Sequence, residues 1–309
     1  MASYLVTGGA GFIGSHLAEE LLRRGHRVRV VDSMITGKAT NLQHIQAAEF
    51  VEGDLAEAPV AERAAAGMDY VLHQAAIPSV PRSVEDPVAS NRANITAPLN
   101  ILVAARAAGV KRLVYAGSSS AYGDTPTLPK REDMPPNPLS PYALQKLVGE
   151  QYCRMFTQLY GFPTVSTRYF NVFGPRQDPG SPYSGVISLF ASALLAGRQP
   201  IIYGDGEQTR DFTYIANVVD GVLRASEAPK ASGEVINVAT GLRISLNELL
   251  RVMNKIVGTD LKAIYKEPRV GDVRDSQADI SKARDLLGYA PIVSLEGGLK
   301  LTLDWFRSA

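Results

Sequence analysis

Tyr142 and Lys146 stand four residues apart in a stretch with helical spacing, and Ser118 closes an apolar run upstream of them. Positions i and i+4 share one helix face, so the phenol and the ammonium would point the same way. A phenol, with a reference pKa of about 10, is a poor base at neutral pH, and neighbouring positive charge favours its ionised form. A serine hydroxyl beside it can relay a proton. The three residues are suited to taking the proton of an alcohol. That step completes an oxidation only if a second group accepts the hydride from the same carbon.

The start of the chain offers such a partner. Gly8-Gly9-Ala10-Gly11-Phe12-Ile13-Gly14 follows an apolar run, Tyr4-Leu5-Val6-Thr7, and opens an amphipathic segment at 15–24 that Gly25 ends. Gly8, Gly11 and Gly14 in this strand-to-helix setting permit a tight turn and let backbone N–H groups approach a pyrophosphate at the positive end of the helix. Asp32 closes the second strand, where a carboxylate can accept hydrogen bonds from adenosine ribose hydroxyls. The same charge repels a 2′-phosphate, so the expected cofactor is NAD rather than NADP. Asp54 follows the third strand and is either a contact to the adenine amino group or an ordinary loop acid.

Stepping along the chain, short apolar strands at 28–31, 50–52, 70–73, 113–116 and 164–167 alternate with helical spacing at 91–108 and 142–160. Continuously apolar strands separated by helices predict a parallel sheet covered on both faces. The pattern changes near Phe170. Residues 173–184 read as loop, followed by a helix at 186–196, a strand at 201–203, a turn at 204–206, a helix at 218–226 and a strand at 235–238 that returns to the sheet. The fold class expected is α/β: a Rossmann doubly wound parallel sheet with a smaller C-terminal mixed α/β substrate lobe. Residues 1–169 plus about 213–240 would form the dinucleotide domain, and about 170–212 with 241–309 the lobe.

Composition narrows the classes of function. The 309 residues carry 32 Lys plus Arg against 31 Asp plus Glu, which points to no nucleic-acid partner and no membrane surface. A single cysteine, Cys153, permits no internal disulfide and suits a reducing cytoplasm; within a helical pattern it reads as a small buried side chain. No basic leader precedes the first strand, and the longest nearly apolar stretch, 186–197, is too short to span a bilayer. The four histidines show no metal-ligand spacing, so no metal is expected. His73, at a strand end, reads as structural.

These motifs resemble those of the extended short-chain dehydrogenase/reductases, in the nucleotide-sugar epimerase/dehydratase branch. The resemblance is carried by residues 7–14, Asp32, Leu72-His73-Gln74-Ala75-Ala76, Gly117-Ser118-Ser119-Ser120-Ala121-Tyr122-Gly123, Ser140-Pro141-Tyr142 with Lys146, residues 168–174, and Arg210-Asp211-Phe212. It implies tightly bound NAD contacted by Gly8, Gly11, Phe12, Ile13, Gly14, Asp32, Gly37, Asp54, Leu55, Gln74, Ala75, Ala76, Asn94, Tyr142, Lys146 and Tyr169. It implies a catalytic trio of Tyr142, Lys146 and Ser118. It also implies a UDP-sugar pocket in which Asn171 binds the diphosphate-sugar region, Val186 and Tyr203 flank the uracil near Gly185 and Ile201, and Arg210, Arg269 and Asp272 hold phosphates and ribose.

Similarity to the branch also bears on the reaction. Dehydratases of the branch carry an Asp-Glu pair after the catalytic hydroxyl residue. Here Ser119 and Ser120 take those places, beside the substrate, and leave 4-epimerisation as the simplest outcome. Tyr142 would take the O4 proton, a 4-keto sugar would turn over in its pocket, and the hydride would return to the other face. Ser276 falls where related epimerases gate the C2 substituent, and a small residue there would admit an acetamido group; its other reading is a plain loop serine. The expected reaction is interconversion of UDP-GlcNAc and UDP-GalNAc, with UDP-Glc and UDP-Gal also accepted. A UDP-glucuronate 4-epimerase and a non-catalytic dinucleotide-binding protein are the alternatives. Related epimerases pair as homodimers through two helices per subunit, matching 91–108 and 142–160 here.

Overall fold

Strand–helix alternation becomes a seven-stranded, all-parallel sheet in the computed structural model, which describes residues 1–178, 185–268 and 273–308. Its strands are β1 (Ser3–Thr7), β2 (Arg27–Asp32), β3 (Glu49–Glu52), β4 (Tyr70–His73), β5 (Arg112–Ser118), β6 (Thr164–Tyr169) and β7 (Val235–Val238). They lie in the order β7-β6-β5-β4-β1-β2-β3. The order reverses direction between β1 and β4, which opens a crevice at the carboxyl ends of the strands there.

Both sheet faces are apolar because successive side chains in a strand point to opposite sides. Leu5, Val31, Val71 and Leu113 pack under the helices Ala58–Ala65, Ala97–Ala107 and Pro141–Tyr160. Tyr4, Val6, Val28, Leu72 and Val114 face the helices Phe12–Arg23 and Ile215–Glu227. The return of the chain to the sheet places Val235–Val238 beside Thr164–Tyr169, as the apolar run at 235–238 predicts. Past it come the helices Leu246–Val257, Ser281–Leu287 and Leu295–Ser308, and three two-stranded pairings, two of which join this part of the chain to residues before Val235, lie outside the central sheet.

Two elements differ from expectation. The helical stretch at 91–108 is interrupted: Pro87–Asn91 leads into a π-turn, Arg92–Thr96, before Ala97–Ala107. Pro98 has no N–H to offer the carbonyl four residues back, and the Ala97 N–H bonds instead to Arg92, five residues back. At the start of the expected loop, Phe173 is part of a strand, Val172–Phe173, that pairs in parallel with Thr213–Tyr214; residues 179–184 lie outside the described part of the chain.

Candidate active site

The crevice at the switch point is a cavity of about 1400 Å³. At one end is the glycine turn. Gly8 has a left-handed φ of +69°, and its missing side chain leaves room for Ala75, whose N would lie 2.8 Å from a Cβ there. Gly14 is more constrained: a Cβ would sit 2.1 Å from the Gly8 carbonyl oxygen. The turn therefore packs backbone on backbone and presents the N-terminus of Phe12–Arg23 to the cavity, a positive dipole end suited to a pyrophosphate. Asp32 accepts the Ala10 and Met34 N–H groups, each at 2.9 Å, and lines the same end. Burial raises its pKa against those hydrogen bonds, so further donors such as ribose hydroxyls would stabilise the carboxylate. Among the described residues, Gln74 Nε2 is buried without a hydrogen-bond partner, and Gln74 lines the cavity wall. These features fit a dinucleotide.

Gly11, Phe12, Ile13, Gly37, Leu55, Ala75, Ala76 and Tyr169 also line the cavity. Asp54 lines it too, but its carboxylate receives Arg92 Nη2 at 3.2 Å and the Ala56 N–H at 2.8 Å, so it serves an ion pair and a turn of its own. Asn94 corrects the sequence reading, for it does not reach the cavity. The π-turn holds it buried, where it accepts the Ile77 N–H and donates to the Ile77 carbonyl, Ser90 and Gln145. Its amide positions the wall at Ile77. His73 is likewise structural: Thr7 Oγ1 accepts the Gln74 and Ala75 N–H groups and so gives its own proton to His73 Nδ1 at 2.8 Å.

Across the cavity, Tyr142, Lys146 and Ser118 converge as expected. Ser140 caps the helix Pro141–Tyr160 by accepting the Ala143 N–H, with Pro141 at its first position. Tyr142 is thereby one residue into a rigid helix, and its N–H is held by Ser83 Oγ at 3.1 Å. Ser118 Oγ accepts the Ser120 N–H at 3.2 Å and the Ser120 hydroxyl at 2.8 Å. Ser118 acts on the Tyr142 phenol to lower its pKa. Burial outweighs it and pushes Tyr142 up to about 12. Lys146 is buried, which pulls it down to about 8, and its Nζ donates to the Ala116 carbonyl at 2.9 Å. The ammonium thus hydrogen-bonds to the strand end and, among the described residues, makes no direct hydrogen bond to the phenol.

At the far end, Ser119, Ser120, Asn171, Gly185, Arg210 and Ser276 line the cavity. Asn171, at a left-handed φ of +32°, donates to the Asp211 carbonyl at 3.0 Å and to Ser276 Oγ at 3.3 Å. Arg210 donates to the Thr209 and Arg274 carbonyls. Tyr203 lines a neighbouring cavity of about 490 Å³ with Gln208, Lys266 and Arg274, and Val273 borders both. Val186 is partly buried against the core, and Ile201 is 41% exposed, so neither lines the main cavity. Arg269 and Asp272 lie outside the described residues. Sequence reasoning passed over Lys38, Arg82, Lys130 and Arg176 in the wall; no local motif marks them, since Arg82 comes from the short helix Val80–Glu85 and the others from loops in different parts of the chain. Among the described residues no helix is long and apolar enough to cross a membrane, and no cluster of His, Cys, Asp or Glu could hold a metal ion.

Sheet order, glycine cradle and the Ser–Tyr–Lys constellation together define an extended short-chain dehydrogenase/reductase. The profile of the NAD dependent epimerase/dehydratase family matches residues 4–239, and the chain belongs to that family. It is 40% identical over 306 residues to a putative UDP-glucose 4-epimerase of Methanocaldococcus jannaschii, covering 98% of each chain. It is 41% identical over 309 residues, again 98% of each, to the UDP-glucose 4-epimerase of Mycolicibacterium smegmatis. Among solved structures it is similar to a UDP-N-acetylglucosamine 4-epimerase of Methanobrevibacter ruminantium in complex with UDP-N-acetylmuramic acid. That match has a TM-score of 0.95 and 39% identity over 99% of this chain and 98% of the other.

Proposed function

We propose that the protein is a UDP-sugar 4-epimerase that interconverts UDP-GlcNAc and UDP-GalNAc and also accepts UDP-Glc and UDP-Gal. The observation that carries the chemistry is the convergence of Ser118, held by Ser120, with Tyr142 and Lys146 on the cavity that the glycine cradle lines. NAD, held by Gly8, Gly11, Gly14 and Asp32, supplies a reversible hydride acceptor and a positive ring when bound. Tyr142 takes the proton of the sugar O4, directly or through Ser118, and returns one after the 4-keto sugar has presented its other face. Lys146 adds positive charge to the site and would hold the nicotinamide ribose. Ser119 and Ser120 bring hydroxyls and no carboxylate, so the site has no acid here to drive loss of water. The sheet would carry the dinucleotide, and residues about 170–212 and 241–309 the nucleotide sugar.

Ser276 supports the acetamido preference. It is small, it lines the cavity, and its hydroxyl is tied to Asn171. Incubation with each UDP-sugar and no added reductant, followed by proton NMR at C4, tests the reading; no C4 epimer from any of them refutes it. Ser276→Tyr should abolish turnover of UDP-GlcNAc while UDP-Glc is still converted, and unchanged selectivity would place the gate elsewhere.

A homodimer fits the surface. Leu144, Met155 and Leu159 on the helix Pro141–Tyr160 are exposed on the side away from Tyr142 and Lys146, and Val103 on Ala97–Ala107 is exposed too. A second copy packing helix on helix would cover them.

A further inference from the structure

Lys130 sits in the loop between Ser118 and Pro141–Tyr160 and is only 2% exposed, yet it lines the main cavity with Ser119, Ser120, Gly123 and Ser276. Its backbone is fixed to the segment that bears Ser276. Lys130 N donates to the Gln277 carbonyl at 2.7 Å, and the Lys130 carbonyl accepts the Asp279 N–H at 2.9 Å and Asn237 Nδ2 at 2.9 Å. The ammonium donates to the carbonyl and the hydroxyl of Thr125, the latter at 2.6 Å. Both partners are neutral. Asp124 and Asp275 act on it only through space, and burial lowers its pKa against their pull.

Three other cations of the cavity wall are ion-paired: Lys38 with Asp178, Arg92 with Asp54 and Glu57, and Arg176 with Glu19. Among the described residues Lys130 makes no ion pair. An ammonium has three donors, and a buried charge without a counter-ion is costly. A lysine held this way, with a donor left over at a binding cavity, is matched to an anion that arrives with the ligand.

We propose that Lys130 receives an anionic oxygen of the nucleotide sugar, and that its place beside Ser119, Ser120 and Ser276 assigns it to a carboxylate carried by the hexose. This extends the substrate class to acidic UDP-sugars and rests on the nucleotide-sugar reading above. A diphosphate oxygen shares the same chemistry, and the test separates the two sources.

The NAD-loaded wild type, Lys130→Met and Lys130→Arg are titrated with UDP-glucuronate, UDP-glucose and UDP by calorimetry, and epimer formation is followed for both sugars. Lys130→Met should lower affinity for UDP-glucuronate relative to UDP-glucose by about 10- to 100-fold, the worth of one charge-assisted hydrogen bond, and Lys130→Arg should restore much of it. Equal weakening of all three ligands supports anion recognition but moves the ammonium to the diphosphate, overturning the carboxylate assignment. Unchanged affinity for all three, in a variant that keeps its NAD and melting temperature, overturns both. Should Lys130→Met fail to fold, the wild type decides: binding of UDP-glucuronate tenfold or more weaker than UDP-glucose overturns the assignment. A wild type that binds UDP-glucuronate but epimerises no sugar refutes the proposed reaction and leaves Lys130 standing.

Discussion

Tyr142→Phe removes one oxygen and keeps the ring. Burial holds that phenol at about 12, so at pH 7 ionising it costs about 7 kcal/mol in the protein alone, at about 1.4 kcal/mol per pKa unit. The Ser118 hydrogen bond already offsets part of the effect of burial. The positive charge of a bound nicotinamide and of Lys146 must supply the rest. Without the oxygen there is no acceptor at all, and the loss is that of a general base: about 10²- to 10⁴-fold in kcat, or roughly 3–5 kcal/mol of barrier. KM should move little, because the pocket keeps its shape. The pH profile sharpens the test. Wild-type kcat should rise with pH as Tyr142 ionises and level off or fall above about pH 8, where Lys146 loses its proton. The Phe variant should lose the rising limb. Initial rates of C4 epimer formation from pH 5.5 to 9, with bound NAD quantified after denaturation, measure both effects. A Phe variant within about threefold of wild type, still loaded with NAD, would refute the assignment of Tyr142 as the base.

Three further outcomes follow from the packing. Gly14→Ala puts a methyl 2.1 Å from the Gly8 carbonyl oxygen, so the protein should purify with little NAD, read as the ratio of absorbance at 260 to 280 nm; full occupancy would show that the turn can shift. Glu150→Gln leaves Arg168 buried without its counter-ion, for the pair is bidentate, with Nε–Oε2 at 2.9 Å and the two side chains 4% and 2% exposed. About 3 kcal/mol of stability should be lost, seen as a lower urea midpoint. Leu159→Glu, on a residue 65% exposed on the helix Pro141–Tyr160, should give a monomer in light scattering if that side of the helix is the dimer face; a protein that is monomeric before the change removes that reading.

Local pattern made much of this protein legible. Apolar runs at 70–73, 201–203 and 235–238 became strands with those bounds; in the two that belong to the central sheet, burial on both faces leaves a continuous apolar run in the chain itself. The glycine turn, Asp32 and the Tyr142–Lys146 spacing were readable for the same reason: their partners lie within a few residues or one helical turn. Long-range contacts decided the rest. Asn94 turned inward because a π-turn before Ala97–Ala107 aims it at Ile77 and Gln145. Lys146 chose the Ala116 carbonyl over the phenol, 30 residues away in sequence. Ser120, expected beside the substrate, donates its hydroxyl to Ser118. Lys130 and Arg176 became cavity residues through contacts with segments such as Gln277 and Ser15, more than a hundred residues distant. A chain's hydrophobic period records which face is buried, so the layers and the cradle were determined by sequence alone. Which polar atom meets which across the crevice depends on loops brought together by that burial, and only the tertiary structure could decide it.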